Sequence, residues 1–471
     1  MAVAYQHTQE ARMTTTAVEY IPVDEVVFRE DLYPRVKRDP ALVQKYAADL
    51  SVLPAIEVNQ DRELIDGWHR WTAHKSKEAE TIGVFITPTS SDLHLLALAS
   101  RRNATFGWQM DVASKKQTAI QLYQRGAGWL PEHSARVDEN GEKEGDAARH
   151  ARIKADIAAH VGASERMVQS YLADIDKDLR EQRSARIFSL WMQCWTQAEI
   201  AKDVEVEETS KEVRVSGEIE EIRKYQKLPD DRTGERAYRE ATYADEGWAR
   251  PLFDIWNTDR NANEVKHFGN TPVEFVDNLL YLYTEPFDIV IDPFAGGGST
   301  IDVCQKRLRR YWVSDRKPIA SRESEIRQHD LVTDGLSGPS RWADVALVYL
   351  DPPYWKQAAG KYSTDETDLA NMPLEKFTET LVGIIHDYGA KLKPGAHIAC
   401  IISPTQWPNE DKRTVYHDLD LARLVGKKLR LKQRILCPYS SQQYNGTQVD
   451  IAKEQKLLMA LSRTMLVWER E

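Results

Sequence analysis

Cysteine is scarce in this chain. Its four cysteines, Cys194, Cys304, Cys400 and Cys437, are scattered through 471 residues with no Cys-x-x-Cys pair. That spacing excludes a cysteine-rich zinc site and argues against a disulfide framework, so a reducing cytoplasm is the natural compartment. Long apolar runs are missing as well: none approaches the ~18 residues of a membrane span. The opening MAVAYQHTQEARMTTT lacks the apolar core of a secretion signal, and no membrane partner is expected. Positive charge is not in excess either. A net charge of −10 argues against indiscriminate nucleic-acid binding, which needs clustered Lys and Arg to neutralise phosphates. A global sum hides local fields, however. Leu421–Arg434 (LARLVGKKLRLKQR) holds six basic residues and no acid, whereas Asp203–Glu221 holds eight acidic residues against two basic. The acid is segregated, which leaves room for a basic surface carrying Lys427, Lys428 and Arg430 that faces nucleic acid.

What is present suggests several domains, as the length requires. Residues 1–17 are a polar tail. Over Val18–Pro88, short β-like runs (YIPVDEVVF, AIEVN, ELID, IGVFIT) alternate with one helical stretch at Asp39–Leu50, and Leu93–Tyr123 reads as helices. Residues 18–125 are therefore expected to form an α+β domain with its following helices. Residues 126–150, rich in Gly and charge without apolar periodicity, read as a linker. Residues 151–204 are helical again, and 205–247 form a charged connector. From Trp248 the texture changes. DIVIDPF, RRYWVSD, DVALVYLDPP and GAHIACIISP are buried strands separated by helices, the alternation of a parallel α/β sheet over residues 248–471.

Two segments of that last domain carry chemistry. In Asp288–Thr300, DIVIDPFAGGGST, an apolar strand ends in an acid, passes a Gly-rich turn and enters a helix near Ser299. Such a turn lets backbone approach a ligand at the carboxyl end of a strand, where α/β sheets bind cofactors. It lacks the Lys of a phosphate-binding loop, which counts against ATP or GTP. In Asp344–Trp355, DVALVYLDPPYW, a second buried strand delivers Asp351-Pro352-Pro353-Tyr354. Two prolines remove two N–H donors and leave carbonyls free to accept from an amine. Asp351 adds a carboxylate acceptor, and Tyr354 a flat face for stacking. The combination is a receptor for an exocyclic amino group.

Together these segments resemble the amino-group DNA methyltransferases over roughly His267–Glu471. The resemblance implies a Rossmann-like fold, S-adenosyl-L-methionine as cofactor and DNA as partner. It implies that Asp292, Pro293, Phe294, Gly296, Gly298 and Ser299 cradle the methionine part of the cofactor. Asp315, ending YWVSD, would take the ribose hydroxyls, and Asp330 in RQHDL would contact the adenine. His267–Thr284 resembles the helix lining the cofactor pocket, with Thr271-Pro272 where the family usually has Lys-Pro, which makes Thr271 a cofactor contact. Adenine-specific members usually carry Asp or Asn before Pro-Pro-Tyr and cytosine amino-group members Ser, so Asp351 favours adenine; cytosine remains the alternative. Cys437-Pro438, which follows rather than replaces the Pro-Pro-Tyr strand, reads as structural and not as a ring-carbon nucleophile.

In the amino-terminal half, LIDGWHRWTAHK (Leu64–Lys75) opens a helix after a strand. Gly67, His69 and Arg70 at that helix start make an anion site. With its context the segment resembles the ParB/sulfiredoxin-like domain over Val18–Pro88, whose ParB members bind nucleotide phosphates at this loop. The resemblance implies a nucleoside triphosphate here, with RRNATFG (Arg101–Gly107) as a partial second motif. Trp68 stands where sulfiredoxins have Cys, so redox activity is not expected. Further on, Ile153–Ile175 places Ala158, Gly162, Val168 and Tyr171 at helix-turn-helix spacing, which would turn Ser164, Arg166, Gln169 and Ser170 toward a major groove. Trp195–Arg214 begins the same way but degenerates after Glu205. The chain thus reads as a modular DNA adenine methyltransferase. Rival readings are an adaptor that only senses S-adenosylmethionine, and an enzyme acting on RNA or on a protein glutamine; self-association as a homodimer is left open.

Overall fold

The computed structural model describes residues 17–34, 38–105, 110–124, 134, 136–137, 144, 146–204, 243, 248–257, 271–361, 363–406, 414–439 and 446–471. The chain divides into two compact units, Met1–Glu181 and Gln182–Glu471.

The first unit opens with a four-stranded sheet of β1 (Glu19–Pro22), β2 (Ile56–Val58), β3 (Leu64–Asp66) and β4 (Thr81–Ile86) in the order β1-β4-β2-β3. Helix α1 (Pro40–Ala47) starts where Asp39 caps the N–H of Ala41 and Pro40 presets the first turn. It stops short of the expected Leu50, which begins a separate 3-10 turn capped by Asp49. Helix α2 (Trp68–Ser76) follows β3 through Gly67 at φ 108°, where a Cβ would meet Ile56 at 2.5 Å. Helices α3 (Asp92–Thr105), α4 (Val112–Gln124) and α5 (Asp146–Val161) and the part of α6 (Glu165–Met192) up to Glu181 complete the unit. Ala158, Val161, Val168 and Leu172 bury into one core with Leu95, Leu96 and Leu122. Gly162 makes the turn between α5 and α6 at φ 61°. The predicted helix-turn-helix geometry is therefore present at Ala158, Gly162 and Val168, although α6, at 28 residues, is far longer than the turn motif needs.

The second unit is built on seven strands in the order β10-β11-β9-β8-β5-β6-β7. These are β5 (Ile289–Asp292), β6 (Arg310–Asp315), β7 (Arg327–Gln328), β8 (Val345–Leu350), β9 (His397–Ile402), β10 (Arg430–Pro438) and β11 (Ser462–Glu469). Strands β5 to β9 pair in parallel, and β11 runs antiparallel between β9 and β10. Every residue of β5, β8 and β9 is buried, as strands covered on both faces require. Alternate residues feed two cores. Ile289, Ile291, Leu350, Cys400 and Trp468 face α10 (Leu374–Lys391) and α11 (His417–Val425). Val290, Tyr349, Ala399, Met465 and Val467 face α8 (Val273–Tyr283) and α9 (Ser299–Lys306). The fold is a doubly wound, Rossmann-like sheet. From β5 the chain winds out to β6 and β7, then returns to β8 on the other side, so the strand order reverses between β5 and β8. Ligands bind in such sheets at the carboxyl ends of the strands beside that switch point. Helix α12 (Gly446–Gln455) precedes β11.

One expected boundary is wrong. The stretch 151–204 is not one module: its last part, from Gln182, belongs with the seven-stranded sheet. Met192 and Cys194 are buried in the two cores of that sheet, Phe188 and Trp191 pack beside them, and Arg310 on β6 donates to the Trp191 carbonyl at 3.2 Å. Apolar residues at Phe188, Trp191 and Met192 find more buried area there than a solvent-exposed recognition helix would give them. Helix α7 (Gln197–Asp203), closed by a Thr196–Glu199 capping box, follows in the same unit. The rest of the degenerate second copy, most of the 126–150 linker, all of the 205–247 connector but Tyr243, and residues 267–270 of the predicted pocket helix lie outside the described residues.

Candidate active site

Strand β5 ends in Asp292, which is buried and spends both oxygens inside the turn it begins. Oδ1 accepts from the Phe294 N–H at 3.0 Å and Oδ2 from the Thr300 hydroxyl at 2.6 Å. Burial pushes its carboxyl up to about 7. Asp292 therefore shapes the Gly-rich turn rather than lining a pocket. Gly296 (φ 50°) and Gly298 (φ 78°) adopt the left-handed conformation that tightens it, and at Gly298 a Cβ would run into Arg322 at 2.6 Å. Arg322 in turn donates to the Gly298 carbonyl at 2.5 Å and pairs with Asp302, clamping the start of α9. Ser299 is the first residue of that helix.

At the end of β6, Asp315 accepts from the Gly296 N–H at 2.9 Å and from the Lys317 N–H at 2.8 Å. Asp330, just past β7, caps a turn by accepting from the N–H groups of Val332 and Thr333, and pairs with Arg316 at 3.0 Å. Both acids face a cavity of about 990 Å³ that is also lined by Pro293, Phe294, Gly296, Ile319, Leu331, Asp351 and Pro353. The two motifs thus open into one space at the switch point.

Asp351 follows Leu350, the last residue of strand β8. Its Oδ2 accepts from the Thr271 hydroxyl at 2.5 Å and from the Tyr349 hydroxyl at 3.4 Å, and its Oδ1 from the Tyr354 hydroxyl at 3.1 Å. Burial raises the Asp351 carboxyl; Arg463 and the three hydroxyl donors oppose that rise. Two expectations change here. Thr271 does not line the cavity: its hydroxyl lies on Asp351 and accepts from Arg463 at 3.0 Å, so the Thr-Pro start of α8 serves the carboxylate rather than the cofactor. Tyr354 is likewise not a cavity wall; it packs against the core and turns its hydroxyl onto Asp351. The aromatic ring that does line the cavity is Phe294.

Residues 169–322 match the family model described as DNA methylase. The second unit resembles the DNA methylases. Over 68 residues the chain is 37% identical to the Type II methyltransferase M.XycI of Xanthomonas campestris pv. cyanopsidis, covering 14% of this chain and 23% of that one. Over 67 residues it is 34% identical to the Type II methyltransferase M.Cfr9I of Citrobacter freundii, covering 14% and 22%. The chain thus spans about a quarter of the length of the curated relatives it matches. Among solved structures, a Pnob8-like ParB-N domain is 14% identical over 34% of this chain and 70% of that one, at a TM-score of 0.26. TrmN from Thermus thermophilus is 14% identical over 42% and 48%, at a TM-score of 0.25. At scores this low neither likeness bears on function.

The family match begins inside α6, which agrees with the packing of Trp191 and Met192 on the methylase-like sheet. Sequence reasoning missed Arg463 and Tyr349. The signal for the first was legible: a single cation inside the otherwise apolar strand SRTMLVWE, where a buried charge needs a partner. The basic stretch is also reassigned. Arg430 opens β10 opposite Glu469, which is in turn opposite His397 at the start of β9. Lys427, Lys428 and Arg430 therefore sit at the amino ends of the parallel strands, one strand length or roughly 20 Å from the Asp351 end. Arg430 pairs there with Glu469 and Glu471, Lys432 with Glu469, and Arg434 with Asp418. These cations do not border the site.

In the first unit, Arg70 is committed to the fold: it donates to the carbonyls of Pro54 and Ala55 and pairs with Asp66 at 2.8 Å. The buried His69 accepts from the Asp39 N–H at 3.1 Å, which ties α2 to the start of α1. The expected phosphate-anchoring role of these two side chains is taken up by structural bonds. On α6, Arg166 and Gln169 are exposed as predicted, while the exposed Ser164 accepts from the Met167 N–H as a helix cap. Cys437 is buried with its thiol pushed up to about 12, in keeping with a structural reading. Among the described residues no cluster suits a metal ion and no helix is long and apolar enough to cross a membrane.

Proposed function

We propose that this chain is a site-specific DNA methyltransferase that moves a methyl group from S-adenosyl-L-methionine to the 6-amino group of adenine. One observation carries the reading. The Gly-rich turn after β5 and the Asp-Pro-Pro-Tyr turn after β8 open into a single cavity between Asp315, Asp330 and Asp351. The residues fit the cofactor. Each oxygen of Asp315 accepts one backbone N–H and keeps lone pairs for a ribose hydroxyl. Phe294, Ile319 and Leu331 give the apolar contacts an adenine ring needs. When bound, the cofactor supplies an electrophilic methyl on a sulfonium centre.

The rest follows from the chain's own groups. A carboxylate has roughly four lone-pair positions. Thr271, Tyr349 and Tyr354 use three of those of Asp351, leaving one for an incoming N–H. The second amino hydrogen goes to the Pro352 carbonyl, beside which Pro352 and Pro353 provide no competing N–H. Holding both hydrogens aims the nitrogen lone pair at the methyl, and proximity supplies much of the acceleration. Asp351, its carboxyl raised by burial, is then the nearest acceptor for the proton the methylated nitrogen sheds. Extruding the base costs a few kcal/mol, which contacts in the cavity offset.

Asp rather than Ser before Pro-Pro-Tyr supports adenine. Mass spectrometry of nucleosides from DNA of cells expressing the protein should show N6-methyladenine. Methylated cytosine instead would overturn the choice of base, and no methylated base beyond an Asp351→Ala control would overturn methyl transfer to DNA. In the first unit the same reading includes a nucleoside triphosphate at the start of α2, which would rest on the backbone N–H groups of the first turn, since Arg70 and His69 are held by structural bonds. Arg166 and Gln169 on α6 would meet DNA, which the exposure of both supports.

A further inference from the structure

The residue that most needs explaining is Arg463. It is only 6% exposed, on a strand whose neighbours Met465, Leu466 and Val467 are fully buried. Its guanidinium lies over the rings of Tyr439 (5.0 Å) and Phe275 (5.5 Å) and donates through Nη1 to the Thr271 hydroxyl oxygen. Its Nε has no hydrogen-bond partner. Burying a cation this deeply is unfavourable unless a counter-charge faces it. The carboxylate it faces is Asp351, one hydroxyl away.

We propose that Arg463 is the positioning residue for Asp351: by donating to the Thr271 oxygen it commits that hydroxyl's single hydrogen to the carboxylate. This rests on the methyl-transfer reading given above. A threonine hydroxyl has one hydrogen and two acceptor positions. With Arg463 donating into the oxygen, the hydroxyl is left to donate, and Asp351 Oδ2 at 2.5 Å receives it. The relay does two things. It keeps Asp351 an acceptor rather than a donor toward Thr271, and it fixes the carboxylate so that its open lone pair points at the cavity. Among the described residues, the other buried groups that act on Asp351 are neutral or acidic. Tyr349 lies on its own strand and Tyr354 on the turn that follows. Asp292 ends β5, Cys400 lies on β9, Cys437 ends β10 and Tyr439 follows it. Arg463 is thus the positive charge in this set, and without it burial would raise the carboxyl further.

The test compares full-length Arg463→Met, Arg463→Lys, Thr271→Val and Thr271→Ser with the parent protein. For Arg463→Met and Thr271→Val the acid limb of the kcat–pH profile should move up by about one unit or more. Turnover at neutral pH should fall about tenfold. KM for S-adenosylmethionine should hold, and Thr271→Ser and Arg463→Lys should recover most of the loss. A role in packing alone would lower stability and leave the acid limb where it was, and that outcome overturns the proposal. Thr271→Val, nearly isosteric, keeps the test open if Arg463→Met does not fold. Infrared difference spectra against Asp351→Asn provide a readout without turnover: the protonated-carboxyl band of Asp351 should persist to higher pH in Thr271→Val than in the parent. Equal titration in the two overturns the inference, whereas a titration shift in a protein inactive on DNA would retain the relay and reject the methyl-transfer reading.

Discussion

Removing residues 1–181 and removing residues 1–246 should give very different fragments. The shorter truncation keeps the segment that buries Met192 and Cys194 in the two cores of the second unit. The longer one strips away Phe188 and Trp191, which pack on Phe287 with ring centroids 6.4 and 5.3 Å apart. It also removes the carbonyls of Trp191 and Gln193 that receive Arg310 and Arg327 at 3.2 and 2.8 Å. Truncating a buried Phe, Trp or Met side chain costs roughly 2–5 kcal/mol, and these three are not all fully enclosed. Leaving a buried donor unpaired costs about 1–3 kcal/mol each. The total is on the order of 8 kcal/mol, against the roughly 5–15 kcal/mol that holds a domain together. Fragment 182–471 should therefore unfold cooperatively in urea and bind S-adenosylmethionine by calorimetry. Fragment 247–471 should unfold at much lower urea, with weakened binding, or not fold at all. Equal midpoints would refute the assignment of 182–204 to the second unit.

Asp351→Ala should abolish methyl transfer while cofactor affinity stays within about twofold, because the carboxylate holds the target amine; calorimetry showing lost affinity would mean the residue is misassigned. Burial holds both His397 and His417 at about 4, below the usual value near 6.5. Their neutral forms contribute stability that is present above pH 6.5 and is lost as pH falls through 4, up to about 3 kcal/mol for each. Urea midpoints of the 182–471 fragment should fall over that window, less steeply in His417→Gln, and a flat midpoint would sink the argument. In isothermal titration a fragment covering residues 18–181 should bind a nucleoside triphosphate, and Arg70→Ala should act by destabilising the fold. Failure with all four triphosphates would reject that part of the reading.

Much of the second unit's fold was legible because buried parallel strands leave a strong trace. DIVID, YWVSD and DVALVYLD are apolar runs ending in acids, and each became a strand with its acid in or just after its last position at the site end. The cavity followed from the same logic, since Gly296, Asp315, Asp330 and Asp351 all stand at strand ends. What stayed hidden depended on pairings between distant segments. Thr271 and Arg463 are 192 residues apart, and the bond that joins them behind one carboxylate is set by the order of strands across the sheet. The basic run from Leu421 to Arg434 misled for a related reason. Composition shows that charge is clustered but not which end of a strand it occupies, nor that Glu469 and Asp418 wait opposite. Arg70 misled because a helix start can meet an anion or its own chain, and here the carbonyls of Pro54 and Ala55 were closer.

The polarity of the parallel sheet gives the second unit two ends with separate uses. The turn at Gly426–Lys428, between α11 and β10, is exposed and lies at the end remote from Asp351. It is thus a natural handle. A fluorophore, a surface tether or a fused module attached there would leave the cavity of this unit unobstructed, so one end can be altered while the other is left to bind.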